Sequence, residues 1–448
     1  MKSATVGFEA LKLSEPICRA VNEEGYTSPT PIQEKAIPHL LEGHDLLGCA
    51  QTGTGKTAAF ALPIMQHLSE KHQATGSGAV RALVLAPTRE LACQINDSFE
   101  TYGRHLKLKH AVVYGGVSLK PQIRSLRQGV DILIATPGRL MDLYRQKYLR
   151  LDKIEVFVLD EADRMLDMGF LPDIKKIYEM VPKNRQSMLF SATLPPEILR
   201  LTKIFLNNPV QVSVNPPAST VDRIDQRVLF VERENKGALL ESVLQDESVS
   251  KALVFARTKH GANRIVKNLS RLRIKADTIH GNKSQTARMD ALRKFRAGKV
   301  RVLVATDIVA RGLDVDGITH VINYELPNEA ESYVHRVGRT ARAGATGIAL
   351  SFCDAGEKGY LHRIEKTINQ LVNVVVDHPF HSEAIALKRK VEEKSGGKFS
   401  GRRYGNNSSS RSSGRPAKNE IRKKNFSPKP AAKRAPFKRR VARPAVSA

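Results

Sequence analysis

The chain is poor in acidic residues for its size: across 448 residues, 45 Asp+Glu stand against 72 Lys+Arg, a formal net charge of +27. An imbalance of that size in a globular chain points to a polyanionic partner. Cysteine is scarce too. Cys18, Cys49, Cys93 and Cys353 stand singly, with no C-x-x-C spacing and no paired histidines, which argues against a disulfide framework or a zinc site. No apolar run approaches the roughly 18 residues of a membrane span. The opening MKSATVGFEALKL carries no apolar signal segment, so a cytoplasmic protein is expected.

What remains is an ordinary globular composition, 41% hydrophobic and 26% charged, with an uneven distribution of charge. From Ser395 to Ala448 there are 16 Lys/Arg and one acid, Glu420, so this stretch holds +15 of the net charge and the preceding 394 residues hold +12. Its Ser, Pro, Gly and Asn content (GRRYGNNSSSRSSGRPAKNE) cannot bury enough apolar surface to offset ordering, and a disordered tail is expected. Phe399, Tyr404, Phe426 and Phe437 lie among its cations, a composition suited to contacting phosphates and stacking on unpaired bases without sequence preference.

Upstream, short β-branched runs alternate with helical patterns, the mark of parallel sheets covered by helices. The series occurs twice. Strands are expected near Asp45–Gly48, Arg81–Ala86, Ala111–Tyr114, Asp131–Ala135, Glu155–Leu159 and Ser187–Phe190, then near Arg227–Val231, Ala252–Ala256, Ala276–Ile279, Arg301–Ala305, His320–Asn323 and Ile348–Phe352. The Pro- and Asn-rich stretch between the two series reads as an extended linker. The organisation expected is an N-terminal segment (1–36), a first α/β domain (37–208), a linker (209–221), a second α/β domain (222–380) and a basic tail (381–448). Open parallel sheets bind ligands at the C-terminal ends of their strands, so a ligand between the domains is expected.

Ala50-Gln51-Thr52-Gly53-Thr54-Gly55-Lys56-Thr57 follows the first run and opens into a helical pattern, the setting of a phosphate-binding loop. Its small residues let backbone N–H groups approach phosphates at a helix N-terminus; Lys56 can reach the β- and γ-phosphates and the Thr57 hydroxyl can ligate Mg²⁺. The strict pattern has Gly where Ala50 stands, so alone it could be a glycine-rich turn. An acid at the end of a buried strand is the partner such a loop needs, and Val156-Phe157-Val158-Leu159 leads into Asp160 and Glu161. Asp160 suits an Mg²⁺ held through water, and Glu161 a base that orients and deprotonates the attacking water. Asp163 reads as a cap for the next helix. In the second half, Arg336, Arg339 and Arg342 recur at spacings of three near one helix face and supply candidates for an arginine finger. No N-K-x-D string occurs, which disfavours a GTPase.

Over about 380 residues these strings resemble, in order, the DEAD-box family of ATP-dependent RNA helicases, with the closest likeness to its bacterial RhlE-like group in HGNKSQTAR and VATDIVARGLD. Asp160-Glu161-Ala162-Asp163 is the naming motif and Ser191-Ala192-Thr193 the third motif. The resemblance implies two tandem RecA-like (P-loop NTPase) domains with parallel sheets. It implies that Gln33 reads adenine, that Tyr26 packs on it and that Phe8 is the upstream aromatic, within a nucleotide site formed by Ala50 to Thr57 and Asp314. It assigns RNA contact to Pro87, Thr88, Arg89, Gly115, Gly116, Thr136, Gly138, Arg139, His280, Gly281, Gln285 and Arg288, and catalysis to Lys56, Asp160, Glu161, Arg339 and Arg342. Ser191, Thr193 and His335 would couple the two sites. Ala341 stands where the family often has Gly, and a helical position would tolerate it.

The expected activity is RNA-stimulated ATP hydrolysis, with Mg²⁺, that locally unwinds short duplexes or remodels RNA–protein particles in ribosome assembly or RNA turnover. An ATP-gated RNA clamp and a DNA helicase are the rival readings, since contacts to the backbone alone do not distinguish the two sugars.

Overall fold

The computed structural model describes residues 7–51, 53–71, 76–214, 224–307, 315, 317–341 and 346–386, all within one unit, Met1–Ser395. Thr52, Asp314, Arg342 and the expected tail from residue 387 lie outside the described residues.

Two seven-stranded sheets, every pairing parallel, are built from β1 (Leu46–Cys49), β2 (Ala82–Leu85), β3 (His110–Val113), β4 (Ile132–Ala135), β5 (Val156–Leu159), β6 (Gln186–Ser191) and β7 (Val210–Ser213), then β8 (Ile224–Phe230), β9 (Ala252–Phe255), β10 (Ala276–Ile279), β11 (Val302–Ala305), β12 (His320–Asn323), β13 (Gly347–Cys353) and β14 (Asn373–Val375). The first sheet runs β3-β4-β2-β5-β6-β1-β7 and the second β10-β11-β9-β12-β13-β8-β14, so one topology is used twice. Strands such as Ala82-Leu83-Val84-Leu85 and Val156-Phe157-Val158-Leu159 are buried at every residue, as a sheet with helices on both faces requires. Alternation still sorts them: Val84, Val158 and Phe190 join one apolar cluster with Phe60 and Phe99, while Leu83, Phe157 and Leu189 join another on the opposite face. Each such fully buried side chain contributes about 1.5–3 kcal/mol.

Each of the twelve expected strands is present within a few residues. Part of the stretch expected as linker belongs to the first sheet, since Val210–Ser213 pairs with β1 as an edge strand, Leu46 facing Val210. The second edge strand, β14, pairs with β8 and was likewise not foreseen. Among the described residues no helix is long and apolar enough to cross a membrane.

Candidate functional site

The nucleotide loop forms where β1 ends between β6 and β7. Ala50 N–H continues the ladder to the Ser191 carbonyl (3.1 Å), and the chain then turns sharply into the helix Lys56–Glu70. Gly53 and Gly55 sit at φ 84 and 90, the left-handed region that a side chain disfavours. A Cβ on Gly55 would also fall 2.4 Å from Gln33 Nε2. Gln33 is the brace behind this turn: its Nε2 donates to the Gly55 carbonyl (3.0 Å) and its Oε1 accepts the Thr30 N–H (2.9 Å). The amide expected on adenine is thus engaged with the loop itself. Lys56 is buried with Nζ donating to the Ala50 carbonyl at 2.7 Å, and Thr54 Oγ1 donates to Gln51 O at 2.7 Å. Tyr26 is half exposed beside Tyr102, with ring centroids 6.4 Å apart, and is open to a planar ligand. Phe8 is packed with Leu11 and Leu13 in the first core cluster, with 5% of its surface exposed.

Asp160 and Glu161 emerge from β5, both buried. Burial, opposed by the nearby Lys56 ammonium, pushes the Asp160 carboxyl up to about 7; its Oδ1 accepts the Glu161 N–H at 2.9 Å. A buried carboxyl strained toward neutrality, with the hydroxyl-bearing Thr57 in the first turn of the helix Lys56–Glu70, is an oxygen-only donor set that fits Mg²⁺, which takes one or two protein oxygens and fills the rest with water and phosphate. Glu161 has φ 51 and ψ 54, a left-handed conformation that costs a non-glycine residue roughly 1 kcal/mol or more. Burial would raise its carboxyl, yet Arg164, Lys56 and Arg339 together hold it below its ordinary value. Arg164 Nη1 donates to Glu161 Oε2 at 2.7 Å.

Asp163 is more than a helix cap. Its Oδ2 accepts Ala192 N (3.2 Å), Thr193 N (2.9 Å) and Thr193 Oγ1 (2.9 Å), while its own N–H donates to Ser191 Oγ at 3.3 Å. The Ser191–Thr193 string is therefore fastened to the short helix Ala162–Asp167 that follows the two carboxylates. Across from it, a cavity of about 500 Å³ is lined by Glu161, Asp163 and Thr193 from the first half and by Val334, His335 and Arg339 from the second.

Arg336 and Arg339 do not share a helix. The helix Ala330–Val337 ends at Gly338, so Arg339 follows its last turn, with Nε donating to the His335 carbonyl at 3.1 Å. Arg336 faces inward: Nε and Nη2 donate to Asp307 Oδ1 and Oδ2 (2.6 and 2.8 Å), and Nη1 donates to Asn323 Oδ1 (3.1 Å) and Glu325 O (2.7 Å). It ties the end of β11 to this helix and is unavailable to a phosphate. Ala341 is not helical either; it is buried at φ 55, where the Gly usual in the family carries no Cβ penalty, a strain of about 1 kcal/mol.

The expected RNA residues collect at the C-terminal ends of β2, β3, β4 and β10. Pro87 is buried at the start of this edge and Thr88 caps the helix Arg89–Tyr102. The Arg89 guanidinium lies against Gly116, where a Cβ would meet Nη1 at 2.1 Å, with Gly115 beside it. Thr136 caps the helix that carries Gly138 and Arg139, and Arg139 Nη2 donates to Val117 O at 3.1 Å. His280 pairs with Asn263 at 3.0 Å and precedes the exposed Gly281. Gln285 and Arg288 lie on Glu90 of the first half rather than on open surface: Gln285 Nε2 donates to Glu90 Oε1 at 3.1 Å, and Arg288 Nη2 approaches the same oxygen at 2.5 Å. Glu90, 1% exposed, is a site residue that sequence reasoning gave no role of its own.

Two like sheets, a phosphate loop with its acids on one and an arginine on the other, and one cavity receiving both define a two-domain P-loop motor. Residues 30–201 match the family DEAD/DEAH box helicase and residues 235–344 match the helicase conserved C-terminal domain. The ATP-dependent RNA helicase CshA of Listeria monocytogenes is 43% identical over 386 residues, covering 86% of this chain and 73% of that protein. The DEAD-box ATP-dependent RNA helicase CshA of Bacillus subtilis is 41% identical over 387 residues, covering 86% and 77%. Among solved structures, S. cerevisiae Dbp5 bound to RNA and ADP BeF3 superposes with a TM-score of 0.73 at 28% identity, covering 87% of this chain and 99% of that one. Mss116p bound to ssRNA and AMP-PNP gives 0.74 at 30%, covering 87% and 82%. The chain belongs to the DEAD-box family of ATP-dependent RNA helicases.

Proposed function

We propose that this enzyme hydrolyses ATP when nucleotide and RNA draw its two halves onto one another, and that strand separation is local. The observation that carries the reading is the shared cavity, in which Glu161 and Arg339 meet from different sheets. Lys56 leaves the Ala50 carbonyl for the β- and γ-phosphates, the loop N–H groups hold the phosphates, and Tyr26 and Gln33 serve the adenine. Thr57 and Asp160 would hold Mg²⁺, which supplies charge neutralisation on the phosphate oxygens. Glu161, kept ionised by its cations, accepts the proton of the attacking water. Arg339, with Arg342 from a segment not described, stabilises charge developing on the γ-phosphoryl group, and Asp314, also in a segment not described, faces the nucleotide. Asp163 with Ser191 and Thr193 on one wall, and His335 on the other, link this chemistry to the RNA edge.

ATP and RNA each favour the joined state through contacts to both halves, so each must tighten the other. RNA is held through phosphate and sugar, with little sequence preference. The RhlE-like affinity rests on the HGNKSQTAR and VATDIVARGLD strings; the relatives above carry the name CshA. Pre-ribosomal particles or RNA-degradation proteins as partners, and a cytoplasmic site of action, complete the reading. Lys56→Ala is expected to weaken ATP binding by about tenfold or more, since a charge-assisted contact is worth about 1.5–3 kcal/mol. Calorimetric titration checks it, with the melting temperature as fold control; unaltered ATP affinity in a folded variant would contradict the role of the loop.

A further inference from the structure

The 51 residues from Lys251 to Arg301 carry fifteen Lys/Arg and two acids, Asp277 and Asp290, a net +13. The rest of the chain ahead of Ser395 is consequently close to neutral, at −1. One lobe thus holds the whole positive excess of the chain before the tail. It comprises β9, β11, the sheet-edge strand β10 and the helices Lys259–Arg271 and Gln285–Arg296. The first helix buries Ala262, Ile265 and Leu269 against one face of the sheet, and the second buries Ala291, Leu292 and Phe295 against the other, so the pair brackets the β10 edge.

Part of this charge is used internally: Arg288 meets Glu90, and Arg257 meets Glu357 at 2.7 Å. Another part faces water. The helix Lys259–Arg271 contains no acid, and Arg264, Lys267 and Arg271 are exposed along about 10 Å of its length. At the N-terminal end of β10, Arg273, Lys275, Lys294 and Lys299 surround an open depression of about 520 Å³ beside Asp277. Arg264, Lys267, Arg271, Arg273, Lys275 and Lys299 lie outside the family motifs and make no ion pair among the described residues. The other end of β10 leads directly into His280 and Gly281, so the basic track begins where the cleft ends. The lobe exposes no Phe, Tyr or Trp: Phe255 and Phe295, its only ones, are 2% and 0% exposed, and its one exposed imidazole is His260 at the start of the helix Lys259–Arg271. Surfaces for unpaired bases add aromatic stacking to charge. Cations alone suit a phosphate backbone, and a duplex offers the densest one.

We propose that the β10 edge is a second RNA contact, which holds the backbone of a duplex flanking the strand in the cleft. It would tether structured RNA beside the motor and raise the local concentration of the helix to be opened. The inference rests on the helicase reading. Its test uses the full chain with Lys267, Arg271, Arg273, Lys275 and Lys299 all replaced by Ala, titrated over a range of salt with a short single-stranded RNA and with the same strand extended by an RNA hairpin. In the variant, affinity for the hairpin-bearing RNA should fall about tenfold or more and its log–log salt slope by about 3, with affinity for the short strand unchanged within about twofold. Equal weakening on both RNAs would reduce the lobe to a diffuse field, and no weakening on either would remove it; both outcomes overturn the proposal. Failure of the wild-type chain to bind even the short strand would instead overturn the helicase reading. ATP turnover with the short strand serves as the fold control.

Discussion

Glu161→Gln is expected to lower RNA-stimulated ATP turnover by about 10²–10⁴-fold, the usual worth of a positioned general base, while leaving ATP and RNA affinity close to wild type. The side chain sits at the end of β5 in a left-handed conformation that commits it to the cavity, and three cations keep it ionised. The amide preserves its shape and can still accept the hydrogen bond of Arg164, so the fold should survive. What it loses is the capacity to take a proton from water. Single-turnover hydrolysis measured beside nucleotide and RNA titrations separates these quantities. Turnover within about threefold of wild type would remove Glu161 from the chemistry.

Arg288→Ala is expected to damage the joining of the halves rather than either half. Glu90 and the Arg288 side chain are both buried where they meet, and stripping one partner from such a pair costs about 3–5 kcal/mol. If the halves separate without ligand, Glu90 regains water in that state and the cost falls on the joined state alone. RNA-stimulated kcat/KM should therefore drop by about 100-fold or more, while the melting temperature of the ligand-free protein changes little. Glu90→Gln should produce a similar loss, and the double variant should be little worse than either single one, as expected of residues acting through one shared contact. Strictly additive losses, or a large fall in melting temperature, would show that the pair serves folding instead.

These two predictions differ in how much of each was readable from the sequence. Glu161 was legible because the chemistry demands an acid pair at the end of a continuous apolar run, and Val156–Leu159 provides that run in adjacent residues. Lys56 was legible for the same local reason. The Glu90 contact was not, since Gln285 lies 195 residues away and no local pattern joins them. Asp163 read as a helix cap because its partners Ala192 and Thr193 are 29 and 30 residues on. Spacing misled at Arg336 and Arg339: a period of three fits a helix, but Gly338 ends it, and Asp307, just past the end of β11, claims Arg336.

The fold divides the same way. Internal strands announce themselves as runs buried on both faces, such as β2 and β5. β7 and β14 are short edge strands, mostly exposed or half-buried, and their composition does not separate them from loop. Ala341 shows the reverse limit. The departure from the usual family residue was visible in the sequence, but only the backbone shows that it stands at positive φ in the turn after Arg339.

The central claim is that RNA completes an ATPase whose parts lie on two sheets. It is tested most directly by steady-state ATP hydrolysis of the purified full chain with no nucleic acid, with single-stranded RNA and with the same strand as DNA. Strong stimulation by RNA, with the DNA strand and the unliganded protein both slow, is the predicted result; a rate indifferent to RNA, or raised equally by DNA, would contradict it.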